Sequence, residues 1–533
     1  MSYVVVCLYF HYISNNMIQT ISIQVTPDIA ADMNALRKTA AQKLSIGPHQ
    51  INDIRISKRS IDARSRNILV NLELICACKH TKKIPSPTLV FNPQDVSHKP
   101  EVHIIGAGPA GLFAALRLIE LGYKPIVFER GKDISGRKRD VALLNRNEAL
   151  NPDSNYCFGE GGAGTFSDGK LYTRSKKKGD NKRVLELFVI HGASPDILID
   201  AHPHIGTDKL PQVIQNMRET IRSWGGEVHF DSKITGVRSQ DNSITHIVCN
   251  GTDIPVQQVL LATGHSARDI YYMLHNHGIE LEAKAFAMGV RAEHPQEMID
   301  YNQYHGNTSD ALPAASYSLV HQVEGRGVYS FCMCPGGIIV PSATEQQQTV
   351  VNGMSNSQRN SPFANSGIAV ELRVEDFVEF AEHGVLAGLK YQEYLETLAY
   401  RNGGHNQIAP AQTIRDFIQK RMSKHLPECS YVPGVVSSPM HFWLPEHISS
   451  RLREAFTAFD RKIRGYASEE GIVVGVESRT SSPVRIPRNA ETLTHVRIQN
   501  LYPCGEGSGY AGGIVSSAID GINCAERIGE VEV

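Results

Sequence analysis

The stretch that decides the fold is EVHIIGAGPAGLFAALRLIELGYKPIVFE, residues 101–129. A short apolar run leads into Gly106, Gly108 and Gly111 in the spacing GxGxxG, and a helical segment separates it from a second apolar run. In such a βαβ unit the first glycine permits a tight turn, the second lets backbone approach a pyrophosphate, and the third allows close packing of helix on strand. The start of the helix offers amides and a partial positive charge to phosphates. The stretch therefore predicts a dinucleotide site.

The second apolar run of this stretch ends at Glu129. A carboxylate at this position binds the hydroxyls of a ribose and repels a 2′-phosphate. FAD or NAD therefore fits the predicted site better than NADP.

Two later segments help to choose between FAD and NAD. An apolar run leads into Ala262-Thr263-Gly264, and another leads into Gly505 and Glu506. In this order, the three segments resemble the flavoprotein superfamily that includes glutathione reductase and geranylgeranyl reductase. Glu506 stands where that superfamily commonly has an aspartate against the ribityl chain of the flavin, and glutamate can accept the same hydrogen bond through a longer arm. The resemblance implies a Rossmann-like FAD-binding domain.

Four further segments resemble a bacterial group of FAD-dependent dehydrogenases of uncertain substrate. They are FGEGGAGTFSDGKL at 158–171, PHIGTDKL at 203–210, SFCMCPGG at 330–337 and ESRTSSPVRIPR at 477–488. The resemblance runs from about residue 100 to the end, and the residues before it resemble the extension that members of the group carry. Motifs and resemblance together predict these cofactor-binding residues: Gly106, Gly108, Pro109, Ala110, Gly111, Glu129, Arg130, Arg137, Gly161, Gly162, Ala163, Gly164, Thr165, Ile234, Ala262, Thr263, Gly264, Gly505, Glu506, Gly512, Gly513 and Ile514.

Outward from this centre, the patterns predict an α/β protein with three units. Residues 17–80 indicate a small N-terminal α+β domain with a helix capped by Asp28, and the proline-rich residues 81–99 indicate a linker. Residues 100–284 and 465–533 are expected to form the FAD-binding domain. An α+β substrate domain is expected as an insertion over residues 285–464, with a helix around residues 411–425.

Composition excludes several classes of protein. The 533 residues carry 54 lysines and arginines against 55 aspartates and glutamates, so the net charge of -1 gives no global attraction to nucleic acid. No apolar run reaches the roughly 18–20 residues needed to span a bilayer. The 10 cysteines are scattered irregularly, which favours a reducing compartment and a cytoplasmic protein. Residues 1–16 lack the features of a secretory signal, and Met17 is a candidate start.

Several other groups leave alternatives open. Cys332 and Cys334 lie two apart in a strand-like run, so both side chains should face the same way, as buried structural cysteines or as a redox pair. His202 and His204 lack the further ligands of a metal site, and no metal is predicted. Three arginines could form an anion site or structural ion pairs: Arg479, Arg485 and Arg488. A basic run could be a solvated surface, or could contact a phosphorylated cofactor or RNA: Lys170, Arg174, Lys176, Lys177, Lys178, Lys182 and Arg183.

The sequence thus predicts an FAD-dependent oxidoreductase that exchanges hydride or electrons between the flavin and a small-molecule substrate. NAD(P)H is an open option as electron donor, and an anionic substrate is another open option. The alternatives are an NAD(P)H-dependent disulfide reductase using Cys332 and Cys334, and a flavin-containing RNA-binding or regulatory protein. The absence of a second glycine fingerprint weighs against the reductase. No residue is singled out as a proton donor.

Overall fold

The structure is a computed structural model that describes residues 18–78, 81–172, 179–307 and 309–530, so the candidate start at Met17 lies outside the described part. The first unit is an antiparallel sheet in the order β1-β3-β2, against which two helices pack. The helix predicted from Asp28 is broken, and Asp32 rather than Asp28 caps the longer piece by accepting the Asn34 amide at 2.8 Å. Its elements are β1 (Ile18–Val25), α1 (Pro27–Ala31), α2 (Met33–Leu44), β2 (Ile51–Asp62) and β3 (Leu69–Cys78).

The second unit begins after residues 81–100, which contain no described helix or strand. It opens with the βαβ unit that the glycine stretch predicts, and a three-stranded antiparallel sheet, β7-β8-β9, follows further along. Its elements up to the insertion are β4 (Glu101–Ile105), α3 (Pro109–Leu121), β5 (Lys124–Phe128), α4 (Ile134–Asn145), α5 (Asn181–Ile190), α6 (Leu210–Ser223), β6 (Glu227–His229), β7 (Ile234–Gln240), β8 (Ser243–Cys249), β9 (Thr252–Pro255), β10 (Val259–Leu261) and α7 (Arg268–Asn276).

The inserted unit is built on a seven-stranded sheet in the order β13-β14-β17-β12-β20-β18-β19. Apolar residues of α12, among them Leu452 and Phe456, pack in one core with Val290 and Ile368 of the sheet. Its elements are β11 (Glu282–Ala283), β12 (Phe286–Pro295), α8 (Gln296–Gln303), β13 (Val320–Val323), β14 (Arg326–Cys334), β15 (Gly337–Pro341), β16 (Val351–Ser355), β17 (Phe363–Leu372), α9 (Ala387–Asn402), β18 (Ala409–Thr413), α10 (Ile414–Ile418), β19 (Val435–Ser437), α11 (Met440–Trp443), α12 (Glu446–Asp460) and β20 (Ile472–Glu477).

Two predictions about this unit are wrong. Strand β20 pairs with β12 and β18, so the chain leaves the inserted sheet after Glu477 and not at residue 465. The helix predicted around residues 411–425 is instead a strand, β18, followed by the short helix α10. In both places burial inside the sheet decides the structure, because a short apolar run has no period that assigns it to one domain or to one type of element.

The chain then returns to the second unit. Its last elements are β21 (Val484–Arg485), β22 (Leu501–Pro503) and α13 (Ile514–Glu530). Strand β22 completes a parallel sheet in the order β22-β10-β4-β5-β6, and α13 lies against α3. Parallel strands joined by helices form the Rossmann-like fold, whose ligands bind at the carboxyl ends of the strands. The α/β fold class with this domain is thereby confirmed.

The N-terminal unit touches both larger units. Arg59 pairs with Asp200 of the second unit, with Nε and Nη2 donating to the carboxylate at 2.7 and 3.1 Å. On the other side, Ser309 of the inserted unit donates its hydroxyl to Asp28 at 2.8 Å. Among the described residues, no helix is both long enough and apolar enough to cross a membrane.

Candidate functional site

The glycine turn between β4 and α3 forms one end of the candidate site. Gly106 has a φ of +105°, and a Cβ there would lie 2.5 Å from the Ala262 carbonyl oxygen. A Cβ on Gly111 would lie 2.0 Å from the Gly106 carbonyl oxygen, whereas a Cβ on Gly108 would meet only the Gly162 Cα, at 3.9 Å. Gly106 and Gly111 are therefore required for packing, and Gly108 leaves bare backbone facing the pocket at the start of a helix, where phosphates bind.

Glu129 connects this turn to its neighbours. Its buried carboxylate accepts the amides of Ala107 at 2.9 Å, Gly131 at 3.0 Å and Gly159 at 2.9 Å. Charge-assisted hydrogen bonds of this kind hold the acceptor rigidly. Glu129 thus fixes three backbone segments around the pocket while still forming part of its wall.

Arg137 lies behind the pocket and not in its wall, contrary to its predicted place among the cofactor contacts. Its guanidinium is fully buried and donates to the carbonyls of Asn155 at 2.8 Å, Tyr156 at 3.0 Å, Gly159 at 3.3 Å and Glu160 at 2.7 Å. Burial lowers the pKa of Arg137 to about 10. Because a guanidinium spreads its donors over a plane, one side chain shapes the whole turn of the glycine-rich loop.

Three other predicted contacts also support the wall from behind. The Gly161 amide donates to the Ala107 carbonyl at 2.9 Å, and the Thr165 hydroxyl donates to the Glu160 carbonyl at 2.7 Å. Gly111 packs on Gly106, as described above. The sequence placed these residues in the correct loops but could not tell which side of each loop faces the pocket.

The remaining predicted residues are brought together in one pocket at the carboxyl ends of β4, β5, β10 and β22. This pocket is lined by Gly106, Gly108, Pro109, Ala110, Glu129, Arg130, Gly162, Ala163, Gly164, Ile234, Ala262, Thr263, Gly264, Gly505, Glu506, Gly512, Gly513 and Ile514. The convergence of four sequence-distant segments on one elongated cleft is what a dinucleotide requires.

One end of the pocket is rich in paired charges. Arg130 lies 4.3 Å above the ring of Phe158 and pairs with Asp153 at 2.7 Å and with Asp269 at 2.8 Å. Lys233 pairs with the same Asp153 at 3.0 Å. Since two cations meet two carboxylates here, the charges at this end of the pocket balance one another.

Asp520 of α13 stabilises the turn at Gly505. Asp520 accepts the Gly505 amide at 2.7 Å and forms a two-point ion pair with Arg488, at 2.6 and 3.1 Å. Cys504 and Cys524 lie beside it, and the possible ligand atoms of Cys504, Asp520 and Cys524 are within 4.8 Å of one another. Because Arg488 and Gly505 already occupy the Asp520 carboxylate, this cluster supports the turn and does not resemble an open metal site.

Glu506 lies in the wall with 26% of its side chain exposed, 3.6 Å from the Nδ1 of His265. Burial raises the pKa of Glu506 to about 7, against a smaller opposing effect of Lys284. Burial, together with the charge of Arg479, lowers the pKa of His265 to about 4. The imidazole is therefore neutral at physiological pH, and its contact with Glu506 is not an ion pair there.

The inserted unit supplies a wall that the list of predicted contacts missed. Lys170 reaches this wall from the glycine-rich loop. The other residues come from the inserted unit and from the segment where the chain leaves it: Phe331, Cys332, Cys334, Asn352, Gly353, Arg479 and Thr480. The signal for part of this wall was present, because Lys170, Cys332 and Arg479 lie in three of the four family-like segments. Asn352 and Gly353 carry no such signal.

Cys332 and Cys334 do not follow the regular strand alternation that the sequence predicts. The register of β14 against β17 shifts between Phe331 and Cys334, and Cys332 has a φ of +43°. Cys332 opens into the pocket and Cys334 is buried. The surroundings raise the pKa of the Cys332 thiol to about 11, chiefly through burial. A thiol in that state is a poor nucleophile, so the site does not favour a disulfide reductase.

Each of the predicted anion-binding arginines lies near a carboxylate of its own, although Arg485 and Arg488 both lie over the Tyr510 ring. Arg479 and Arg268 share the buried Glu396, at 3.0 and 2.6 Å. Arg488 binds Asp520, and Arg485 lies 3.7 Å from Glu282. The three arginines therefore do not form one anion site.

The histidines and the basic run are also divided among separate contacts. His204 lies within hydrogen-bond distance of the Ser357 carbonyl, at 3.2 Å, and the ring of His202 lies 4.7 Å from that of Tyr172. Lys182 pairs with Glu186, and Arg183 with Glu120. Arg174 and residues 176–178 lie outside the described residues, and the described members of the run form no common surface.

Comparison with known proteins gives a match in each of the three units. Residues 285–480 match the model of "FAD-dependent protein, C-terminal domain-like", residues 104–156 match an NAD(P)-binding Rossmann-like domain, and residues 17–77 match a domain of unknown function. An uncharacterized protein of Clostridium beijerinckii is 43% identical over 520 residues, which cover 93% of this chain and 96% of that protein.

The similarity to two solved structures is low. CtdE in complex with FAD is 11% identical, with a TM-score of 0.31 over 81% of this chain and 84% of that chain. A geranylgeranyl bacteriochlorophyll reductase-like protein from Thermoplasma acidophilum is 11% identical, with a TM-score of 0.33 over 81% and 79% of the two chains. By its near full-length relative and its C-terminal domain, the chain belongs to the family of FAD-dependent proteins with a Rossmann-like domain.

Proposed function

We propose that the protein is an FAD-dependent oxidoreductase that transfers hydride or electrons between bound FAD and a small-molecule substrate. The lining of the pocket carries this proposal. One wall is the dinucleotide-type glycine turn, and the other wall comes from the inserted unit. A flavin bound there would lie between the two units. A substrate would then reach it from the side of the inserted unit.

The residues fit FAD in three places. Gly108 leaves backbone bare at the N-terminus of α3, where a pyrophosphate is stabilised by amides and by the helix dipole. Glu129 is rigidly held at the end of β5, where a ribose diol is bound in such folds. Glu506, behind the Gly505 turn, offers a carboxyl group to a ribityl hydroxyl.

The bound flavin would supply the electron-accepting ring, and this chain would supply its environment. Gly512, Gly513 and Ile514 bring the start of α13 to the pocket, so the positive end of that helix dipole favours negative charge on the nearby ring edge. Cys332, whose thiol pKa is raised, is assigned no role in the transfer. The inserted wall shields the reacting face from bulk water.

The visible spectrum of the purified protein tests the proposal. We expect a yellow protein whose flavin band is bleached without oxygen by its electron donor, with NADH and NADPH tried first. Bleaching by either nucleotide supports a nicotinamide donor, and a yellow protein left oxidised supports a substrate-fed dehydrogenase. A colourless protein that also fails to bind added FAD would refute the proposal.

A glycine variant sharpens this test. In Gly108→Ala the new Cβ points into open pocket space, so we expect a folded protein that retains FAD at least about tenfold more weakly. Gly327→Ala is the matched control, because its Cβ meets atoms of the inserted sheet no closer than 3.6 Å. Equal flavin content in both variants would contradict the placement of the pyrophosphate.

A further inference from the structure

Where the glycine-rich loop meets the inserted unit, the pocket contains a positive charge that its surroundings do not balance. Asp168, with 4% of its side chain exposed, is bound at two points by Arg359, at 3.2 and 2.7 Å. The Nζ of Lys170 lies 3.6 Å from the same carboxylate. Two cations thus share one carboxylate.

Neighbouring groups do not remove this surplus. Arg291 and Glu477 are both buried and neutralise each other at 2.9 Å. Burial and the charge of Arg359 lower the pKa of His204, which favours its neutral form, so this residue leaves the surplus unchanged. Arg479, further along the wall, shares Glu396 with Arg268, and the nearby charge of Glu345 also raises the pKa of Arg479, so these two arginines face two carboxylates.

Lys170 is held so that its ammonium faces the pocket. The backbone on both sides of it pairs with the segment around His204, since the Leu171 amide donates to the Pro203 carbonyl at 2.9 Å and the Ile205 amide donates to the Gly169 carbonyl at 3.2 Å. The ammonium donates to the Met333 carbonyl and lies 3.9 Å from the Cys334 Sγ. A lysine ammonium has three donors, so at least one is left for a ligand, and 34% of the side chain is exposed.

We propose that Lys170 binds the carboxylate of the substrate, which makes the substrate class a small monocarboxylate; this rests on the proposed flavin function. A single surplus charge matches a monoanion, because a dianionic phosphate would keep one negative charge unbalanced. The pyrophosphate of FAD is no competing explanation, since Lys170 contacts Met333 and Cys334 of the inserted unit and the phosphates are expected at the glycine turn of the other unit.

The experiment titrates the FAD-loaded protein with acetate, butyrate and benzoate, and follows the flavin absorbance. Acetamide, butyramide and benzamide are the neutral matched probes, and inorganic phosphate and sulfate are the dianionic ones. We expect a saturable shift with at least one carboxylate, and binding of its amide and of the dianions weaker by roughly tenfold or more.

Variants then assign the effect to the lysine. We expect Lys170→Met to bind the carboxylate about tenfold more weakly, and Lys170→Arg to keep part of the binding. Lys462→Met is the matched control, because the Lys462 ammonium also donates to a carbonyl, that of Val320, but on the outside of the inserted unit.

Each outcome decides the question. For the wild-type protein, three results would overturn the assignment: equal binding of carboxylates and amides, preference for phosphate, or no response to any carboxylate. An unchanged response in Lys170→Met would also overturn it. The wild-type comparison holds even where Lys170→Met fails to fold. A protein without flavin would instead refute the proposed function, so the two failures are distinguishable.

Discussion

At the scale of single residues, Glu506 carries the clearest dependence on pH. The protein raises the pKa of this carboxyl group from 4.5 to about 7, mainly by burial. A folded pKa above the unfolded one means that the folded state prefers the protonated form. The contribution to stability is therefore complete below about pH 4.5 and is lost as the pH rises through about 7.

We therefore expect the apoprotein to lose stability between about pH 4.5 and 7, and the variant Glu506→Gln to lack this loss. Since 26% of the side chain is exposed, we expect the variant to be more stable at pH 8 by on the order of 1–2 kcal/mol, and no more stable near pH 4.5. Urea unfolding across this pH range measures the effect. Glu469→Gln, at a largely exposed ion pair with Arg415, is the control. Parallel curves for Glu506→Gln and the wild type would show that the burial of Glu506 does not control this pH dependence.

At the scale of elements, helix α4 organises the glycine-rich loop through Arg137. Gly159 makes room for this arginine, since a Cβ there would lie 2.5 Å from the Arg137 Cδ. The loop between Asn155 and Glu160 has four carbonyls directed at one guanidinium. A buried charge with such complete pairing is costly to alter, because any carbonyl that loses its donor has no water to replace it.

We expect Arg137→Lys to destabilise the protein by about 2–4 kcal/mol and to release FAD, because an ammonium cannot reach all four carbonyls. The free energy of unfolding and the ratio of flavin to protein absorbance measure these effects. Arg139→Lys, on the exposed side of the same helix, should change neither quantity. A variant Arg137→Lys that keeps both its stability and its flavin would show that the loop does not depend on this arginine.

At the scale of the whole molecule, the N-terminal unit supports the segment that leads to the pocket. The Arg59 amide donates to the Ile199 carbonyl at 2.8 Å, and the Ala201 amide donates to the Arg59 carbonyl at 2.9 Å. A few residues later, the same segment pairs with the backbone around Lys170. The N-terminal unit is thereby connected to the pocket through two backbone pairings.

We expect Arg59→Ala to speed amide hydrogen exchange severalfold over residues 199–206. The melting temperature should change little, because the pair of Arg59 with Asp200 is over a third exposed on the arginine side and contributes about 1 kcal/mol or less. Arg64→Ala is the matched control, since Arg64 pairs with Asp62 inside the N-terminal unit. Equal exchange in the two variants would exclude a supporting role of Arg59.

The sequence by itself determined the features that depend on neighbouring residues. The glycine turn, the helix after it and Glu129 lie within 29 residues, and their spacing alone predicts the βαβ unit and its place for a dinucleotide. The order of the later glycine segments predicts their convergence, because parallel strands end at one edge of a sheet. The fold class follows from these local patterns, and the resemblance of the segments to known flavoproteins adds the family and FAD as the cofactor.

Tertiary structure alone decided which side chains face the pocket and which charges are balanced. Arg137 has the charge expected of a phosphate ligand, but carbonyls from a different loop surround it. Arg479 finds Glu396 and Arg488 finds Asp520, and such ion pairs between distant positions have no signal in the spacing of residues. The charge of Lys170, in contrast, is not balanced, because the neighbouring Asp168 is already bound by Arg359 from far along the chain. The physical reason is that local backbone preferences act over a few residues, whereas burial and charge pairing depend on how distant segments pack.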